Sequence, residues 1–182
     1  MPPGLTSPLC QTLAATSPRG GGGFMAFIDY LAKSSLFHGL PEEYLNWLTP
    51  CCREKFFQQH HQLFKEGDVA DTLYVITSGQ VVLEMTVTSS LRHFKETIAI
   101  TSVGPPHPIA ERALVAPYRY AFSARAVLDT SCVAIDCVGL RERMDSDHYL
   151  GSVIRKNLLQ ILSERLQQTR EVLAYERATR LI

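Results

Sequence analysis

Between Leu63 and Leu83 the chain twice breaks a run of alternating apolar residues at a glycine turn. Leu63-Phe64-Lys65-Glu66 runs into Gly67-Asp68, and Asp71-Thr72-Leu73-Tyr74-Val75-Ile76-Thr77 runs into Ser78-Gly79, after which Gln80-Val81-Val82-Leu83 opens a third run. Gly-Asp and Ser-Gly between short β-favouring segments are signals of tight antiparallel connections. Runs of the same kind predict strands over 54–60, 62–65, 71–77, 80–88, 96–103, 119–127 and 131–136. The polar stretch Ser89-Ser90-Leu91-Arg92-His93 reads as a hairpin tip. Seven or eight short strands without β–α–β alternation predict a mainly β fold, a jelly-roll or barrel with flanking helices, and exclude a doubly wound sheet.

The ends of the chain have other periods. Phe27, Ile28, Leu31 and Leu36 suggest a short helix. A second helix starts at Leu40-Pro41-Glu42-Glu43, where proline suits the first turn and the acids suit the dipole, and it ends near Pro50 with Trp47 on its core side. Beyond Leu140 a short helix over 138–144 leads to a long one over about 147–180. In that helix Leu159, Leu162, Leu166, Thr169 and Leu173 are spaced three and four apart, the seam of a two-stranded coiled coil. Val153, Ile154, Leu158 and Ile161 widen the apolar face where the helix would pack on the barrel. A narrow seam on so long a helix predicts a homodimer through residues 153–173; the alternative is a helix folded back on its own barrel. The first 24 residues, rich in proline and small polar residues and containing Gly20–Gly23, read as a disordered leader, or translation starts at Met25. The expected division is 1–24 leader, 25–137 helices and barrel, and 138–182 C-terminal helices.

Several function classes are disfavoured by composition. Lys plus Arg and Asp plus Glu each number 18, so there is no basic excess for nucleic acid. No run of 18 apolar residues exists, and no membrane partner is expected. The five cysteines lack C-x-x-C spacing, which fits reduced thiols in a cytoplasm better than disulfides or zinc. His60 and His61 are adjacent, so on a strand they point to opposite faces, and His93 and His107 fall in loops; no metal site is expected. Cys51 and Cys52 have no partnered His-Asp arrangement, and Gly20–Gly23 lacks the Lys-Ser/Thr of a phosphate loop. The chain is not expected to be an enzyme.

Gly67, Asp68, Asp71, Tyr74, Ile76 and Gly79 stand at the spacing of the cyclic-nucleotide-binding domain family, which the chain resembles over about residues 27–178. The resemblance implies a double-stranded β-helix jelly-roll barrel followed by a long C-terminal dimerisation helix. It also implies a phosphate cassette reading roughly G-E-x-A-L, with R-S/T-A nine to ten residues after the Glu. In such a cassette the Glu accepts from a ribose hydroxyl and the Arg pairs the phosphate through a charged fork. Here Glu111, Ala113 and Leu114 match, but Ala110 replaces the Gly, Tyr120 the Arg and Ala121 the Ser/Thr. Arg119 stands one position early, and the preceding loop Gly104–Pro108 is two residues longer than usual. Loss of the fork removes a contact worth about 1.5–3 kcal/mol. Arg165-Leu166-Gln167-Gln168-Thr169 resembles the R-L-Q-x-T segment in which the Thr reads adenine; a small polar seam residue is the plainer reading of Thr169.

The candidate ligand residues are therefore Ala110, Glu111, Ala113, Arg119, Tyr120, Ala121, Arg165 and Thr169. The expected ligands are cAMP or cGMP, or a less anionic molecule accommodated by Tyr120 and Phe122. In relatives that bind DNA this helix leads into a helix-turn-helix domain; none follows here, and a protein partner is expected instead of DNA. An iron–sulfur sensor of the related type would need an N-terminal cysteine cluster that is missing. Two functions remain from this reading: a regulatory sensor that couples ligand to movement of the C-terminal helix, or a pseudo-sensor that binds proteins and no nucleotide.

Overall fold

Eight strands form among the described residues, most of them where the alternation and the glycine turns lead, and they sort into two four-stranded antiparallel sheets. The structure, a computed structural model, describes residues 24–89 and 94–179; the expected leader up to residue 23, residues 90–93 of the hairpin tip and the last three residues lie outside these. The strands are β1 (Cys52–Phe57), β2 (Gln62–Phe64), β3 (Thr72–Ser78), β4 (Val81–Ser89), β5 (Phe94–Val103), β6 (Pro108–Ile109), β7 (Ser123–Ala126) and β8 (Thr130–Asp136). One sheet has the order β1-β8-β3-β6 and the other β2-β7-β4-β5, which is a jelly-roll barrel.

The turns explain the glycines. Gly67 and Gly79 have φ of 86° and 84°, the left-handed region where a side chain is strained. At Gly79 an added Cβ would lie 2.3 Å from the Asp129 carbonyl oxygen, so the β3–β4 turn admits no larger residue.

Four consecutive buried residues in β3, Leu73 to Ile76, need cover on both faces. The opposite sheet covers one, and helix α1 (Phe24–Lys33) packs against the strand as well. Helix α2 (Glu42–Leu48) buries Leu45 and Leu48 and leads through a 3₁₀ turn, Thr49–Cys51, into β1.

Three expectations shift. Helix α1 starts at Phe24 instead of Phe27 and stops at Lys33, where the Ser34 amide donates back to Tyr30 and Leu31 carbonyls. The strand expected over 119–127 shrinks to Ser123–Ala126: Tyr118 sits at φ 54°, and Arg119 pairs only with Val69 as an isolated bridge. A strand not expected, β6, adds two residues at the sheet edge, a place where Pro108 withholds no needed donor.

Helix α3 (Cys137–Ser146) is capped by Asp136, which accepts from the Val138 amide at 2.9 Å. Its Arg141 donates to the Ala113 carbonyl at 2.8 Å and the Ala70 carbonyl at 3.3 Å, and its guanidinium stacks 4.4 Å from the Tyr118 ring. Helix α4 (His148–Thr179) is 32 residues long, about 48 Å at 1.5 Å per residue. Gly151 lets it start close to α3, because a Cβ there would lie 2.1 Å from the Met144 carbonyl oxygen.

The first half of α4 buries Leu150, Ile154, Leu158 and Ile161 against the barrel, and Asn157 donates to the Leu36 and His38 carbonyls. Its second half is less covered. Leu159, Leu162, Leu166 and Leu173 are exposed by 68%, 44%, 53% and 48%, with Leu162, Leu166 and Thr169 turned toward the edge of the barrel and Leu159 and Leu173 left to solvent.

Candidate ligand-binding site

A cavity of about 390 Å³ lies between the barrel, the turn that follows β6, and helix α4. Its walls are mainly apolar: Phe64 and Leu83 from strands, Val115 and Phe122 from the connection into β7, Leu158 and Leu162 from α4. The turn itself is a 3₁₀ segment, Glu111–Leu114, opened by Ala110 at φ 69°. A non-glycine residue rarely adopts this left-handed conformation. The Ala113 amide donates to the Ala110 carbonyl at 2.9 Å, and Arg141 holds the Ala113 carbonyl from behind.

Glu111 is the polar centre of the cavity wall. Its side chain is only 8% exposed, and it meets Arg165 of α4, whose Nη1 donates to Oε2 at 2.9 Å while Nη2 lies 2.7 Å from Oε1. Arg165 Nη2 also donates to the Pro108 carbonyl at 2.9 Å. Glu111 Oε1 is buried and is held by the ion pair with Arg165 rather than by a hydrogen bond. Burial pushes the Glu111 carboxyl above its ordinary range, and Arg165 opposes that shift.

Tyr120 occupies the position where the family pattern carries an arginine. Its ring stacks on Phe64 with centroids 4.1 Å apart, and its hydroxyl donates to the Thr72 carbonyl at 3.0 Å. Burial in this aromatic cluster raises the phenol well above its usual value, and the neighbouring Tyr74 is pushed up to about 12. Tyr120 is therefore a neutral wall that spends its one proton inside the fold.

Arg119 goes elsewhere. It is exposed, it donates from Nη1 to the Gly67 carbonyl at 2.7 Å, and it does not line the cavity. Its neighbours fix this placement, since the Gly67 amide donates to the Tyr120 carbonyl and the Tyr120 amide to the Asp68 carbonyl. The side chain of Ala113 is fully buried and also stays out of the cavity. Ala110, Glu111, Tyr120, Ala121, Arg165 and Thr169 are brought together around it. Thr169 donates its hydroxyl to the Arg165 carbonyl at 2.8 Å, one turn back in the helix.

One charged lining residue was not singled out in the sequence. Arg112 lies at the cavity, exposed, and its guanidinium has no hydrogen bond or ion pair among the described residues. Its place between Glu111 and Ala113, the variable position of the cassette, is the only signal the sequence offers for it.

The remaining chemistry-bearing groups do not assemble. Among the described residues no three His, Cys, Asp or Glu side chains are placed to hold a metal ion. Cys132 and Cys137 are buried, with thiols pushed up to about 12. No described helix is long and apolar enough to cross a membrane.

Comparison with known proteins points the same way as the barrel. The family model described as cyclic nucleotide-binding domain matches residues 54–147. A CRP-like cAMP-activated global transcriptional regulator from Mycobacterium tuberculosis is 27% identical over 146 residues, which are 80% of this chain and 61% of that protein. The chain thus spans about three fifths of the length of that curated relative. The crystal structure of a protein from Geobacter metallireducens GS-15, classed as cyclic nucleotide-binding, superposes with a TM-score of 0.62 at 30% identity, covering 72% of this chain and 91% of that one. A cyclic nucleotide-binding domain from Methylobacillus flagellatus KT has the same fold, with a TM-score of 0.69 at 22% identity over 84% of this chain and 83% of its own.

Proposed function

Because the chain belongs to the cyclic nucleotide-binding domain family, we propose that it is a non-enzymatic sensor whose cavity takes a small ligand and whose helix α4 reports occupancy. The observation that carries this reading is the pair Arg165–Glu111. It joins α4 to the cassette turn across the cavity, at a carboxylate that a ligand hydroxyl would also seek. A ligand that donates to Glu111 competes with Arg165 and changes how α4 rests on the barrel. Such coupling needs ligand affinity to differ between the two positions of the helix.

The ligand class we favour is cAMP or cGMP, held by Glu111, Ala110, Ala121, Arg165 and Thr169, with Ala113 fixing the turn behind them. The exposed seam from Leu159 to Leu173 supports a homodimer through α4, which then presents its surface to a protein partner. A balanced charge supports a protein rather than DNA as that partner, and the reduced, buried thiols support a cytoplasmic setting. Residues 25–137 form the sensing unit in this reading and 138–182 the output helices.

A second reading has its own observation. Tyr120 fills the place of the phosphate arginine and its hydroxyl is already satisfied by Thr72, so the same barrel serves equally as a nucleotide-free interaction module. Calorimetric titration of the full chain with cAMP and cGMP separates the two. Micromolar binding supports the sensor. Absence of binding, with binding gained by Tyr120→Arg, supports the interaction module. Sedimentation of a Leu159→Asp, Leu173→Asp double variant checks the seam: the sensor reading expects a dimer to become a monomer with the barrel still folded.

A further inference from the structure

A cyclic phosphodiester carries one negative charge, and a mainly apolar cavity admits it only where a cation or several donors meet it. The cavity walls hold two cations among the described residues, Arg112 and Arg165. Arg165 is committed to Glu111 and to the Pro108 carbonyl, so its donors are taken up within the fold. Arg119 is turned to the outer surface and bonded to the Gly67 carbonyl. Tyr120 is neutral, and its hydroxyl is used by Thr72.

Arg112 alone is at the cavity, charged and unpartnered among the described residues. We propose that Arg112 supplies the cation for the anionic group of the ligand, in place of the arginine whose position Tyr120 has taken. Arg112 is exposed while Phe64 and Leu83 are buried, which puts the cation at the outer part of the cavity and the apolar wall behind it. Glu111 lies next in the chain, and its carboxylate would take a donor from the same ligand, such as a sugar hydroxyl, in competition with Arg165. This inference rests on the reading of the cavity as a nucleotide site and names the residue that sets its preference for charge.

The test compares a charged with an uncharged ligand on the full chain. Calorimetry with cAMP and with adenosine is run on the parent, Arg112→Gln, Arg112→Lys and Arg119→Gln. The expected result is that the parent prefers cAMP over adenosine by about 10- to 100-fold, the worth of a hydrogen-bonded charge. Arg112→Gln then abolishes that preference while its adenosine affinity stays, Arg112→Lys keeps part of it, and Arg119→Gln changes neither ligand. Retention of the cAMP preference by Arg112→Gln overturns the proposal and leaves the nucleotide site standing. An equal loss of both ligands in that variant overturns it as well, since it marks a structural role. Binding of adenosine but not cAMP by the parent overturns it too. Failure of the parent to bind either ligand overturns the nucleotide reading together with it.

Discussion

The turns on either side of β3 and the cassette turn after β6 make the same backbone demand and meet it differently. Around β3 the left-handed positions are Gly67 and Gly79, residues that adopt them without strain. In and after the cassette they are Ala110 and Tyr118, for which the conformation costs about 1–2 kcal/mol each. The difference lies in what surrounds each position. At Gly79 the backbone of Asp129 and Thr130 closes over the turn and bars any side chain. Ala110 opens onto the cavity, where its Cβ has room, and its conformation is imposed from outside by the Ala113 amide and by Arg141 behind the turn. Arg141 holds Tyr118 as well, by stacking on its ring. Barrel turns thus dictate residue type, whereas the cassette keeps its backbone through its neighbours and leaves its side chains free to change.

The largest test of that contrast is Gly79→Ala. Strain of about 1–2 kcal/mol joins an overpacking cost of about 1–3 kcal/mol, so a loss of about 2–5 kcal/mol is expected in urea unfolding. Gly67→Ala, where nothing lies within 4 Å of the added Cβ, should lose only the strain. Equal losses at the two sites would mean that the closure over Gly79 yields easily, and the contrast with Ala110 would go with it.

The next test concerns the polar side of the cassette. Burial raises the Glu111 carboxyl, so the folded chain holds that proton more tightly than the unfolded one. Its contribution to stability is full below the ordinary carboxylate range and is lost as pH rises through the raised folded value. Glu111→Gln removes this titration. Urea unfolding between pH 4 and pH 7 (a window about the ordinary carboxylate value and above) should therefore show the parent's advantage over the variant shrinking as pH rises. An advantage that grows with pH would show the Arg165 ion pair outweighing burial, and would make the cassette a salt-bridged lock instead of a strained acceptor.

The same contrast explains what the sequence discloses. Gly67 and Gly79 were legible because backbone geometry there forces a residue type, and the alternation around them placed β2, β3 and β4 within a residue or so. The seam of α4 was legible because period and exposure agree: Leu159 and Leu173 stand out on a helix whose earlier turns are buried. The short edge strand β6 was not, since two residues beginning with proline carry no periodicity. Nor was the start of β7, because the break at Tyr118 rests on a left-handed tyrosine that no local rule favours. In the site, the resemblance to the family's cassette and helix segment marked Glu111 and Arg165 as candidates. It did not reveal that they bond each other, or that Arg119 leaves for the Gly67 carbonyl, because both contacts join segments more than 50 residues apart.

The smallest effect sharpens the comparison most. Ala110→Gly restores the residue type that the conformation prefers. It removes about 1–2 kcal/mol of left-handed strain and adds about 0.5–1 kcal/mol of chain entropy to lose on folding. The expected net is a gain of up to about 1.5 kcal/mol, a rise in Tm of up to about 6 °C for a chain of this size. Differential scanning calorimetry of the two proteins at one pH and concentration checks it. If the variant is less stable, the Ala110 methyl contributes packing at the cavity wall that exceeds its strain, and the substitution at this position is an adaptation of the cavity. If the variant gains, the alanine is a cost carried by a turn that Arg141 and its neighbours hold in place, and the backbone of the cassette is maintained apart from the residues that once suited it.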